Sequence, residues 1–106
     1  MLTLLILLLL AHALADFPLQ GDFLAKAKHG SVPLVPAWYA LAIHSLIHAG
    51  LVLLVTESLL LFTVEFVAHW AIDKAKIKCL LSFGADQALH VMLKVLYVPV
   101  FYALYV

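Results

Sequence analysis

Polar residues recur at intervals of four along an otherwise apolar chain: His12 and Asp16; His44 and His48; Glu65, His69 and Asp73; Asp86, His90 and Lys94. Residues four apart share one face of a helix. Imidazole and carboxylate are the ligands of zinc, iron and manganese. Pairs at this spacing on facing helices are a recurrent way to build such centres in bundles. A divalent metal held there would activate a water, with a carboxylate or an imidazole as base. The spacing makes Asp16, His44, His69 and Asp86 the leading ligands, with His12, His48 and His90 beside them. Asp16, Asp73 and Asp86 are the catalytic carboxylates on this reading. Glu65 and Lys94 continue the same faces as supporting or substrate-contacting groups, and Gln20 can point back at Asp16. Lys76 is a membrane-surface anchor or a contact for a lipid phosphate. The competing reading is a closed polar network that only ties helices together.

These groups need elements to carry them, and composition restricts what those elements are. The chain has 106 residues, 67% of them hydrophobic and only 11% charged. So short a chain forms one domain, and so few polar residues cannot coat a water-soluble one. Six lysines balance six carboxylates. Nucleic acid is therefore excluded as a partner for want of a basic face. The single Cys79 excludes an internal disulfide.

Apolar stretches predict an all-α, polytopic four-helix transmembrane bundle, a single domain over residues 1–106, with helices over roughly 1–17, 36–55, 58–74 and 86–106. The first stretch, "MLTLLILLLLAHALA", resembles a signal peptide but lacks a basic start, and is read as a retained helix. "TES" at 56–58 predicts a tight hairpin between helices two and three. Between helices one and two, Asp22 can start a short interfacial helix that Gly30 ends. Tyr97, Tyr102 and Tyr105 are expected near the far interface. Lys26 and Lys28 in the first loop and Lys74, Lys76 and Lys78 around the third make those loops cytoplasmic by the positive-inside rule.

In that topology the polar pairs occupy one depth. His12 and Asp16 close helix one, His69 and Asp73 close helix three, and Asp86 and His90 open helix four, all at the cytoplasmic side. His44 and His48 lie about 10–17 Å into helix two at 1.5 Å per residue. Ionisable groups inside a bilayer are costly, and mark function by default.

The segments "HALADFPLQGDFLAKAK", "IHSLIHAG", "EFVAHWAIDKAK" and "DQALH" resemble, in order and spacing, a bacterial and phage membrane family catalogued as domain of unknown function 3307. The resemblance covers roughly residues 10 to 97. It falls on His12, Asp16, Phe17, Gln20, Lys26, His44, His69, Asp73, Lys76, Asp86, Gln87 and His90, and it adds Gln87 to the supporting groups. Pro18 departs from the first motif and would shift the end of helix one. The resemblance implies a multi-pass protein of the bacterial inner membrane and brings no activity with it. At the level of pattern the chain is also similar to membrane-bound metal-dependent hydrolases. The resulting expectation is a metal-dependent hydrolase acting on a lipid or membrane-proximal substrate, its metal being Zn, Fe or Mn. The alternatives are a metal or proton transporter subunit, and a non-catalytic structural or accessory protein acting through a membrane-protein partner.

Overall fold

The computed structural model describes residues 1–106 as five helices and no strand. They are α1 (Leu2–Asp16), α2 (Gly21–Lys28), α3 (Ala37–Thr56), α4 (Leu59–Ile77) and α5 (Phe83–Tyr105). The molecule is elongated, 47 × 24 × 21 Å. α3 packs along α4 and also meets α1 and α2, while α5 closes the bundle against α4 and α1.

Local chemistry sets each boundary. Glu57 adopts a left-handed φ of 54° and returns its amide to Leu53 O at 2.7 Å, which ends α3. Ser58 then caps α4, its hydroxyl accepting from Leu61 N at 3.1 Å. The short connection forces α3 and α4 into the hairpin expected from "TES". α4 runs three residues past the expected end at Lys74. It stops in a Schellman turn, with Cys79 at φ 61° and Leu80 N donating to Ala75 O at 2.9 Å. α5 begins three residues before Asp86, because the Ser82 hydroxyl accepts from Ala85 N at 3.1 Å and draws "FGA" into the first turn.

The first connection is a sharp bend. α1 stops at Asp16, just before Pro18, and α2 departs at 80° to it. Gly21 takes a φ of 64°, open to glycine without steric cost. Gly30, at φ 79°, ends α2 as expected, with Ser31 N donating to Lys26 O at 3.1 Å. α2 is thereby folded back along α3.

Two helices, α3 and α5, are long and apolar enough to cross a membrane, and α1 with α2 makes a third if the bent pair is one span. The expected set of four separate spans is therefore reduced on length and composition. α1 has only 15 residues, about 22 Å of rise. α4 carries Glu65, Asp73, Lys74 and Lys76 within its 19 residues.

Burial is inverted relative to a water-soluble bundle. Of 24 fully buried residues, 12 are polar or charged, whereas such residues are ordinarily the exposed ones. Large apolar side chains lie outward instead, among them Ile6, Leu10, Leu54, Val67, Met92 and Leu96. The apolar core is small, comprising Leu4, Leu8, Val52, Leu61, Tyr97 and Val98.

Candidate metal centre

The interior polar residues come from all four long helices and meet in one layer. Five imidazoles form its centre. The His48 and His69 rings stack with centroids 3.7 Å apart, and His69 stacks on His90 at 4.3 Å. His44 lies edge-on to His48 at 4.7 Å, and His12 lies 5.1 Å from His48 and 5.3 Å from His90. The four-residue spacing is what turns each helix's pair to this layer.

Carboxylates thread between the rings. Asp16 Oδ1 lies 2.8 Å from His48 Nε2 and 3.5 Å from His44 Nε2. Asp73 Oδ2 lies 3.5 Å from His44 Nε2 and 3.7 Å from His69 Nε2, and its Oδ1 lies 3.8 Å from His90 Nε2. Two sets of donor atoms result, each lying mutually within 4.8 Å. Asp16, His44, His48 and His69 form one set, and His69, Asp73 and His90 form the other.

These separations decide what the sets can hold. Tetrahedral ligands about 2.0–2.1 Å from a zinc ion sit about 3.4 Å from one another. The distances above bracket that edge. Most are too long for good hydrogen bonds. Both ring nitrogens of His44, His69 and His90 are buried without a hydrogen-bond partner in the protein. An orphaned buried polar atom costs about 1–3 kcal/mol. Six such nitrogens within one small layer therefore call for a cation or a donor from outside the chain. The residues fit a divalent metal in donor type, number and spacing.

The remaining predicted residues surround the two sets. His12 Nε2 lies 3.3 Å from Asp16 Oδ2 and 3.2 Å from Gln87 Oε1, in the layer but outside both donor sets. Asp86 is also outside them, 3.4 Å from His90 Nε2, and accepts from Gln87 Nε2 at 3.0 Å. Gln20 does turn back, donating to the Asp16 carbonyl at 3.1 Å. Lys76 reaches no carboxylate and holds its ammonium 5.0 Å over the Phe83 ring.

Lys94, on the face of Asp86 and His90 in sequence, donates to Glu65 Oε1 at 2.6 Å on the neighbouring helix, and both are fully buried. Tyr97 is not at an interface. It is buried and donates to Glu65 Oε2 at 2.6 Å. Glu65 Oε1 in turn lies 3.6 Å from His69 Nδ1, so the Glu65–Lys94–Tyr97 cluster backs the His69 ring. Lys28 also belongs to the site and carried no signal in the spacing pattern. Lys28 Nζ donates to Asp73 Oδ2 at 2.9 Å. A cavity of about 150 Å³ abuts the layer, lined among others by Asp16, Asp73, Asp86, Gln20, Lys28 and Lys76.

The fold and site define an all-α protein with an apolar exterior and an interior His/carboxylate layer able to accept a metal. The chain belongs to the family described as "Protein of unknown function (DUF3307)", whose model matches residues 4–105. No curated protein and no solved structure matches it.

Proposed function

We propose that this protein is a divalent-metal-dependent hydrolase of the bacterial inner membrane, acting on a lipid or membrane-proximal substrate. One observation carries the proposal. Buried, unpartnered imidazole nitrogens from α3, α4 and α5 stand among carboxylates, beside a cavity walled by those same carboxylates. When bound, the metal supplies Lewis acidity and an acidified water. The chain's own groups do the rest. Asp16 with His44, His48 and His69, or Asp73 with His69 and His90, would hold the cation, and Glu65 stands behind His69. Asp86, on the cavity wall and outside both donor sets, is placed to take a proton from a water in the cavity.

The inverted burial supports a bilayer setting, in which all four long helices are membrane-embedded. Spans α3 and α5 would be the independent ones. α1 and α4 would be held by the interior polar layer they share with them.

Beyond Glu65, Lys94 and Tyr97 come the apolar Leu4, Leu8, Val52, Leu61 and Val98. The buried Thr56 and Ser58 at the α3–α4 turn bond to Val52 O and Tyr105 and to no member of the layer. That apolar stretch disfavours a through-path for a transporter. A purely structural network would pair its members, and seven imidazole nitrogens, His12 Nδ1 among them, have no hydrogen-bond partner.

The test is hydrolysis of a panel of lipid esters and phosphoesters by the detergent-purified protein, with metal content measured on the same sample. Metal-loaded protein that turns over a panel member, and loses turnover on Asp86→Asn without losing metal, supports the proposal. Metal-loaded protein inert on the whole panel counts against the hydrolase, and folded protein that takes up no metal counts against the centre.

A further inference from the structure

The cavity beside the layer is lined by both carboxylates and lysines, and the proposed reaction gives the lysines no task. It is lined by nine residues, only two of them hydrophobic. Three are carboxylates (Asp16, Asp73 and Asp86) and two are lysines (Lys28 and Lys76). With neutral imidazoles the formal charge of this lining is −3 + 2 = −1. An anion is repelled by such a cavity. A divalent cation on the carboxylates reverses the sign to +1, and an anion is then attracted.

The two lysines differ in what occupies them. Lys76 is half-buried, has no ion-pair partner, and touches only the Phe83 ring. Its ammonium is available to a ligand. Lys28 is held by Asp73 Oδ2, the oxygen that also lies 3.5 Å from His44 Nε2 and 3.7 Å from His69 Nε2. A metal taking that oxygen competes directly with the ammonium. Lys28 then loses its partner while still lining the cavity, and becomes a second cationic arm. Gln20 and Gln87 bring side-chain amides to the same lining.

We infer that this cavity is a phosphate-group site that forms only when the metal is bound, with Lys76 as its standing cation and Lys28 as the cation the metal releases. Size agrees with the assignment. About 150 Å³ has room for a phosphate group. The phosphate can belong to a lipid headgroup or be free inorganic phosphate. The inference rests on the metal centre proposed above and assigns that centre's substrate class.

The experiment is calorimetric titration of the detergent-purified full chain with two probes, dihexanoyl phosphatidic acid and inorganic phosphate, each with and without one equivalent of manganese. Metal content is measured on the same samples. Binding of at least one probe is expected with manganese and at least about tenfold weaker binding without it. Lys76→Ala should weaken binding about tenfold, Lys76→Arg by less than about threefold, and Lys78→Ala, exposed and outside the cavity, not at all. Binding of phosphatidic acid alone identifies a lipid headgroup, and binding of inorganic phosphate alone identifies the free ion. Equal binding with and without bound manganese overturns the inference, and so does a Lys76→Ala titration matching Lys78→Ala. Protein that takes up manganese yet binds neither probe sinks the phosphate site alone. Protein that takes up none sinks the metal centre with it.

Discussion

Lys28 and Asp73 meet across 45 positions of sequence, the Lys28 ammonium donating to Asp73 Oδ2 at 2.9 Å. Each side chain is only 10% exposed. The pair exists because α2 folds back 80° from α1 and runs along α3, delivering its last residue to the C-terminal end of α4. An ammonium thus stands where a metal ligated by Asp73 would place its charge.

Removing that ammonium should therefore separate stability from metal affinity. Lys28→Ala leaves Asp73 without its counterion, and breaking a pair this buried costs about 3 kcal/mol. The metal-free protein should melt lower by that amount. Metal should bind about tenfold tighter, a change of about 1.4 kcal/mol, because its competitor is gone. Melting curves and metal titrations in detergent check both. Unchanged or weaker metal binding in a folded Lys28→Ala protein contradicts the competition.

The Glu65–Lys94 pair makes a second, independent case. Both side chains are essentially inaccessible, at 0% and 1% exposure. Lys94→Met strands a carboxylate in the interior and should cost about 3–5 kcal/mol. Combining it with Glu65→Gln removes both charges and should recover most of the loss. Denaturation of the single and double variants decides this, and a single variant as stable as the parent would show that the pair carries no weight.

Topology follows from lysine placement. Ser31 and Ser82 should face the cytoplasm and Glu57 the outside. The exposed Cys79 must first be replaced, for instance by Cys79→Ser. A membrane-impermeant thiol reagent applied from outside should then label Glu57→Cys and leave Ser31→Cys and Ser82→Cys untouched. The reverse pattern inverts the orientation.

The interior layer was legible in the sequence because four-residue spacing is a property of a single helix, and each helix carried its own pair. Partners between helices were not. Lys94 shares a face with Asp86 and His90 in sequence, yet its long side chain reaches across to Glu65, since α4 and α5 pack side by side. Tyr97 reads as a membrane-interface residue by type, and only packing shows its hydroxyl turned inward to Glu65. Lys28 reads as one more cytoplasmic lysine, and nothing local reveals the bend that carries it to Asp73. Helix ends moved for a similar reason. The Ser82 cap and the Schellman turn at Cys79 are settled by hydrogen bonds that hydropathy does not register.

The most direct test of the central claim is the metal content of protein isolated without a polyhistidine tag and equilibrated with zinc, measured by plasma mass spectrometry. About one ion per chain is expected, since both donor sets draw on His69. The His44→Gln, His69→Gln double variant should retain less than about a tenth of that while keeping its helical circular dichroism. Folded parent protein that holds no metal, or a double variant that holds as much as the parent, would contradict the account.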